Sequence, residues 1–400
     1  MISRKEYSDT ISRCLRRNLP FVIYMPPEYD EVIFFSQRPD EHNECRADLS
    51  DPQWNGFFIN FFNNDEPYLA GVAYDYDYQE TLAELDYLEN VDGLYMPADV
   101  VPSLKSTTRL QHAAAVNIAV GEISRYSGKV VVSQMTAVAS LRDPAEVMWE
   151  YFDMFPATFR FLVFTPETGL WLGATPELLA RCFPKQKAVL SMALAGTKPA
   201  DDTSGWDEKN VTEHICVLRH ITDTFDNAGL AVETSDPEEL YFGPIKHLCT
   251  HVGAEGDYDA AALLYDLSPT PAVAGFPDRD RAIRLIARLE KHQRYCYTGF
   301  VGIKSDDDIE AYVNLRSALV VPCLVDGAEA YIYNIYSGGG IMPDSHADAE
   351  WDELMAKMSP LYGIITGDAS LPRPDEIKEN ITFPDYVSRR DFLMTNRYVK

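Results

Sequence analysis

The chain has 400 residues, 62 of them acidic and 35 basic, with a formal net charge of −27. Its 46% hydrophobic and 12% aromatic content supports a sizeable core and excludes a disordered or fibrous chain. The long-range negative field repels nucleic acid and anionic membrane surfaces, so neither is expected as a partner, and an anionic small substrate would need a local cationic pocket or a metal ion.

The N-terminal segment "MISRKEYSDTISRCLRRNLPFVIYM" has no uninterrupted apolar core of signal-peptide type. No segment reaches the roughly 18–20 apolar residues of a membrane span, so a cytoplasmic protein is expected. Up to about residue 105 the sequence reads as short strands ("FVIYM", "EVIFFSQ", "GFFINFF", "YLAGVAY") broken by Asp, Asn, Pro and Gly clusters, an antiparallel pattern. An alanine-rich helix follows over Thr107–Tyr126, with Thr107 or Thr108 as N-cap and Gly128 as its stop, and leads into "KVVVSQMTAVAS", headed by Lys129. Strands are then expected at "FRFLVFT", "LWLGA", "AVLSMALAGT", "ELYFG", "KHLCTHVGA", "YCYTGFVGIKS", "IEAYVNLRSALVV" and "EAYIYNIYSGGGI". Helices are expected over Asp207–Phe225, around "RAIRLIARLEKH" and over Ala347–Tyr362. Irregular alternation with strands in excess predicts an α+β fold, mostly antiparallel. Three parts are expected: residues 1–105, a strand-rich part of the same domain; 106–363, the catalytic region; and 364–400, a charged, proline-containing extension. The seven cysteines are scattered and never fall in a C-x-x-C pair, which signals neither a disulfide framework nor a thiolate zinc site.

Three constellations carry chemistry. In "HADAEWDELMAKM", Glu350, Glu353 and Lys357 share one helix face, either as a solvated Glu–Lys helix surface or as part of a site. Before them "YSGGGI" reads as a tight turn or as backbone that approaches a ligand closely and presents N–H groups to an anion. In "DEKNVTEHICVLRHI" the wheel puts Val211, Ile215, Leu218 and Phe225 on the core face, with Glu213 opposite beside Cys216, Val217 and His220. Glu213 is a surface carboxylate or one of two acids from two helices that hold Mg²⁺; His214 and His220 do not form the H-E-x-x-H zinc pattern. Lys129 opens an apolar strand, as an edge residue reaching water or as a buried base, and Glu177 in "GATPELLA" is its possible counterpart, an acid kept protonated by partial desolvation.

The ordered segments "KVVVSQ", "LWLGATPELLAR", "ALAGTKP", "EKNVTEH", "LSPTPAVAGFP", "YTGFVG", "NLRSALV" and "YSGGGIMPDSHADAEWDELMAK" resemble the chorismate-utilising enzymes, and among them the isochorismate synthases, over about residues 105–362. The resemblance implies layered large antiparallel sheets with helices packed outside and Mg²⁺ in a deep cleft. It implies that Lys129 is the base that activates water for attack at C2 of chorismate, and that Glu177 is the acid that protonates the departing C4 hydroxyl. Glu213 and Glu353 are implied as magnesium ligands, with Glu350 a nearby metal or water-shell acid. Gly196, Thr197, Arg316, Gly338, Gly339, Gly340 and Lys357 are implied to bind the substrate, the planar fork of Arg316 suiting a carboxylate. Ala195 stands where aminodeoxychorismate synthases carry a lysine, and Lys129 is absent from anthranilate synthases, so water is favoured over ammonia. Salicylate synthases keep both catalytic residues and remain the alternative. Gln134 and Ser268 depart from the family's arginine and histidine. A glycosidase using two carboxylates without a metal, and a relative that has lost its chemistry, are the rivals from other classes. Chorismate is the expected partner, with no obligatory protein partner; use of the product in menaquinone, siderophore or salicylate formation is left open.

Overall fold

The computed structural model describes residues 2–38, 45–62, 69–88, 90, 100, 103–125, 128–368, 372, 377 and 380–383. In chain order the N-terminal part comprises α1 (Arg4–Arg16), β1 (Phe21–Met25), β2 (Ile33–Ser36), β3 (Gly56–Asn60), β4 (Leu69–Ala73) and α2 (Tyr78–Leu85). Next come α3 (Arg109–Ile123), β5 (Lys129–Ser140), α4 (Pro144–Met154), β6 (Phe159–Thr165), β7 (Gly169–Thr175), β8 (Leu178–Phe183), β9 (Ala188–Pro199) and α5 (Glu208–Asn227). They are followed by β10 (Ala231–Thr234), β11 (Glu238–Phe242), β12 (Ile245–Glu255), α6 (Ala260–Leu267), β13 (Gly275–Phe276) and α7 (Arg279–Leu289). The rest is β14 (Phe300–Ser305), β15 (Asp308–Val313), β16 (Ser317–Val325), β17 (Ala328–Ile341), α8 (Ala347–Thr366) and β18 (Ile381–Thr382).

The strands form two antiparallel sheets. The first runs β13-β5-β17-β16-β7-β6-β1-β2, with β18 against β16; the second runs β10-β12-β9-β8-β15-β14-β3-β4, with β11 against β12. An apolar layer that includes Tyr24, Phe57, Phe159, Phe161, Trp171, Leu319 and Tyr336 joins strands of both sheets. A second core gathers α1, α4 and α8 on the first sheet through residues such as Leu15, Met148, Phe152, Leu354 and Met358. A third seats α5 and α6 on the second sheet through Val217, Ile221, Phe225 and Leu264. With both faces covered, β7 is buried at every position, as expected for an interior strand of a layered α+β fold. Residues before 105 supply β1 and β2 to the first sheet and β3 and β4 to the second.

Several sequence expectations need correction. The stretch before residue 105 also holds α1 and α2, each begun by a capping box (Ser3 with Glu6, Asp77 with Glu80). The predicted segment "IEAYVNLRSALVV" is two strands, one in each sheet, broken at residues 314–316. Helix α8 continues to Thr366 with Pro360 inside it, so the expected extension loses its first residues to that helix. Of the rest, Ile381–Thr382 pair with β16, and residues 384–400 lie outside the described residues. On α5 the buried face is Asn210, His214, Val217, Ile221 and Phe225, whereas Val211 and Ile215 are exposed. The wheel failed because two polar residues on the inner face are satisfied locally. Asn210 donates to the N-cap Asp207 and accepts from the Thr197 amide, and His214 bonds Thr250 Oγ1. Among the described residues no helix is long and apolar enough to cross a membrane.

Candidate active site

The chain passes from one sheet to the other twice at the same place. After β7 it leaves the first sheet at Thr175 and enters the second at Leu178; after β15 it returns from the second sheet to the first across residues 314–316. The two crossings are tied together. Thr175 Oγ1 donates to the Val313 carbonyl at 2.6 Å, the Val313 amide donates to the Glu177 carbonyl at 2.9 Å, and the Ala174 amide donates to the Arg316 carbonyl at 3.3 Å. The backbone segments that carry Glu177 and Arg316 are therefore joined where the sheets part, which explains an acid locked behind Thr175-Pro176. Arg316 has φ 50°, a left-handed conformation that a non-glycine side chain adopts only where the surroundings enforce it.

A cleft opens at this point, and Glu177, Gly196, Thr197, Glu213, Arg316, Gly338, Gly340 and Lys357 are all in its wall. Glu177 is 3% exposed. Burial pushes its carboxyl up from 4.5 to about 8 against the opposing pull of the Lys129 and Lys357 ammonium groups, so it holds a proton at neutral pH. Lys129 is fully buried and lies in β5 between β13 and β17, which overturns the edge-strand alternative. Its Nζ is 3.0 Å from Glu213 Oε1, yet no acceptor is aligned for a hydrogen bond to it.

The three glycines form no turn. Gly338, Gly339 and Gly340 prolong β17 past the end of β16 and pair with Ser133, Val132 and Val131 of β5. An extended strand does not make a nest of N–H groups, so the anion-nest reading fails as well. What holds is close approach. A Cβ on Gly340 would collide with Glu213 Oε1 and Lys129 Cε, one on Gly338 would sit 3.0 Å from Tyr297 Oη, and one on Gly339 would press on Glu350 and Leu354 at 3.4 Å. Behind this strand α8 contributes its acids. Glu353 Oε1 accepts from Lys357 Nζ at 2.6 Å, and Lys357 also donates to the Gly338 carbonyl at 3.1 Å. Glu350 Oε1 accepts from Lys209 Nζ at 2.5 Å. Burial and then repulsion by Glu353 raise the Glu350 carboxyl; burial acts on Glu353 too, but Lys357 and Lys209 outweigh it and hold Glu353 low. Neither α8 acid is on a solvated helix surface.

Two participants escaped the sequence reading. Lys209 lies within electrostatic reach of Glu350, Glu353 and Glu213; its position one helical turn before Glu213 was the available signal. His247, from β12, bonds the Gly196 carbonyl through Nδ1 at 2.9 Å and Arg316 Nη2 through Nε2 at 3.2 Å. A carbonyl only accepts, so Nδ1 carries the hydrogen and Nε2 receives the guanidinium donor. Burial first, then Arg316 and Lys357, push this imidazole down to about 3, so it stays neutral and orients Arg316. Arg316 Nη1 donates to the Lys357 carbonyl at 3.3 Å, and among the described residues no carboxylate lies within ion-pair distance of Arg316, which leaves its positive charge without an anionic partner in the cleft.

The departures from the family pattern fall away from the cleft wall. Gln134 is buried on the opposite face of β5 and donates to Met358 Sδ at 3.2 Å. Ser268 caps the end of α6, its carbonyl accepting from Arg279 at 3.0 Å.

The sequence profile described as "Chorismate binding enzyme" matches residues 75–366. The chain belongs to that family. It is 29% identical over 303 residues to isochorismate synthase MenF of Escherichia coli (strain K12), covering 72% of this chain and 67% of that one. It is 28% identical over 269 residues to 2-amino-4-deoxychorismate synthase of Streptomyces globisporus, covering 64% and 52%. The solved structure of the menaquinone-specific isochorismate synthase MenF from Escherichia coli superposes with a TM-score of 0.68 at 20% identity, over 88% of this chain and 91% of that one, a likeness of fold. Glu213, Glu350 and Glu353 offer oxygen donors only, the set a hard divalent cation takes, and Glu350 Oε2 is buried with no hydrogen-bond partner. Their donor type fits Mg²⁺, although their carboxylate oxygens do not all lie within 4.8 Å of one another. Each acid is here matched by a lysine.

Proposed function

We propose that the protein is a Mg²⁺-dependent isochorismate synthase: water adds at C2 of chorismate, the ring double bonds shift, and the C4 hydroxyl leaves as water. The observation that carries this reading is Lys129, fully buried under Gly340 and within the electrostatic field of Glu177. A lysine in that place gives a water-based reaction its base. Ala195, in the cleft wall, stands where the ammonia-using aminodeoxychorismate enzymes carry a lysine.

In this reading Glu213 and Glu353 would hold Mg²⁺, with Glu350 beside them. The ion would supply positive charge opposite a substrate carboxylate in a site already rich in acids. Arg316, oriented by neutral His247, and Lys357 bind carboxylate oxygens; Gly338 and Gly340 leave room beside β17 for the Tyr297, Glu213 and Lys129 side chains. Lys129 takes a proton from the attacking water, and Glu177, already protonated at neutral pH, passes its own to the C4 oxygen as that bond breaks. One proton is removed at C2 and one delivered at C4, so the exchange needs no redox partner.

Chromatography of the products after incubation with chorismate and Mg²⁺, without ammonia donors, tests the reading. Isochorismate is the expected product, and EDTA should stop its formation until Mg²⁺ is restored. Salicylate with an equal amount of pyruvate would instead make the protein a salicylate synthase, and turnover insensitive to EDTA would remove the metal.

A further inference from the structure

Outside the cleft, strand pairing brings together three donors that are dispersed in the sequence. Glu238 of β11 lies opposite Cys249 of β12, and His251, two residues on, points to the same side of the strand. His251 Nε2 is 2.9 Å from Glu238 Oε1 and 3.9 Å from Cys249 Sγ, and all three donor atoms lie within 4.8 Å of one another. Tetrahedral zinc, with bonds of about 2.3 Å to sulfur and about 2.0–2.1 Å to nitrogen or oxygen, separates its ligand atoms by roughly 3.3–3.6 Å. The two measured separations bracket that span, so small side-chain shifts close the geometry.

We propose that Glu238, Cys249 and His251 form a binding site for a borderline divalent cation of the zinc class, separate from the carboxylate site of the cleft. The donor set selects the metal. One thiolate, one imidazole and one carboxylate suit zinc and its neighbours, whereas Mg²⁺ and Ca²⁺ take oxygen. The site has an inside and an outside. Cys249 is fully buried against Leu194 and Phe242, while the side chains of His251 and Glu238 are 52% and 53% exposed. An ion there would rest on sulfur from below and keep its fourth position open. His251 also lies in the wall of a neighbouring hollow, with Ser235, Leu240 and Tyr241. Three protein ligands with one open position is the coordination of zinc sites that accept an exogenous ligand.

The ordinary alternative is an exposed His–Glu pair that happens to lie over a core cysteine. That arrangement leaves Cys249 as an inert thiol: burial, then the charges of Glu238 and Glu177, push it up to about 12. A bound cation reverses this, because the thiol proton is displaced when sulfur coordinates. The two arrangements therefore differ in a way that can be measured.

The reduced full-length chain, stripped with chelator, is dialysed against Zn²⁺ alone in excess Mg²⁺, and bound zinc is measured per chain. One zinc per chain is expected. Affinity should fall more than about tenfold in H251A and C249S, at least the loss caused by removing a supporting group near a zinc ligand. Replacing Zn²⁺ with Co²⁺ should give a thiolate-to-metal charge-transfer band that C249S lacks. H251A changes an exposed side chain, so its circular dichroism and chorismate turnover should match the parent protein. The proposal is overturned if the parent chain retains no zinc, if H251A and E238Q retain it undiminished, or if Co²⁺ gives no thiolate band. Zinc lost on Glu213→Gln but kept by H251A would place the ion in the cleft and overturn it equally.

Discussion

Glu177 and Glu290 are two glutamates with buried carboxyl groups, and folding shifts them in opposite directions. Glu290 stands behind β5 in a closed network. Arg294 uses all five of its donors there, on both Glu290 oxygens, on the Val273 and Val131 carbonyls, and on Thr298 Oγ1. Glu290 also accepts from the Ser133 amide at 2.7 Å. Burial opposes its charge, but Arg294 outweighs that and holds the carboxyl low. Glu177 has no such partner, and burial carries it to about 8. The Ser337 hydroxyl in the cleft wall and Lys129 Nζ also lack hydrogen-bond partners, as does Glu350 Oε2 behind β17. A buried polar network satisfied within the protein is architecture; one left incomplete toward a cleft is where a ligand completes it.

The largest expected effect is on the closed network. Arg294→Met leaves Glu290 as an uncompensated buried charge, and the loss of stability should be about 3–5 kcal/mol, the usual result of breaking a buried pair on one side. Urea unfolding at neutral pH measures it. If the variant is as stable as the parent, Glu290 is not held by Arg294 and the contrast with Glu177 fails.

In the open network the effect should fall on turnover instead. Lys129→Ala and Glu177→Gln should each lose about 10²-fold or more in kcat, the usual share of a proton-transfer group, with a smaller change in KM. Near-normal kcat in a correctly folded variant would reduce either residue to a structural one.

The remaining effect is a slope with pH. Glu177 is raised from 4.5 to about 8 when the chain folds, so its contribution to stability is fully present below about 4.5 and is lost as the pH rises through 8. Glu290 has the opposite sign: its folded value is depressed, so its contribution is present above its ordinary range and lost as the pH falls. Relative to the parent, E177Q should therefore gain stability as the pH rises from about 4.5 to about 8, seen as a rising urea midpoint difference. A flat difference would mean that Glu177 is not desolvated.

Much of the architecture was legible because strands buried on one or both faces leave apolar runs. The expected segments at "FVIYM", "GFFINFF" and "FRFLVFT" coincide with β1, β3 and β6. The overlooked helices α1 and α2 have modest apolar faces, and their strongest marks were the Ser3–Glu6 and Asp77–Glu80 capping pairs, which stand in the sequence but are easily passed over among polar residues. The cleft was legible through ordered motifs; Lys209 was missed, although its helical spacing from Glu213 stood in the sequence. His247 was not. A single histidine in a strand carries no local signal, and its role exists only because β12 lies beside Gly196 of β9 and Arg316 arrives from 69 residues away. The Glu238–Cys249–His251 group was hidden for the same reason, since register rather than spacing assembles it.

The joined crossings have a consequence for how the molecule acquires its activity. Thr175 and Val313, whose hydrogen bond ties the two passages between sheets, are 138 residues apart along the chain. Closing so long a loop costs entropy before any contact rewards it, and nonlocal strand pairing is slow for that reason. Helices such as α5 can form early from local contacts, but Glu177 and Arg316 come together only when both sheets have found each other. During refolding from urea, recovery of chorismate turnover should therefore trail recovery of the helical circular-dichroism signal, with competence reached in the last step of assembly.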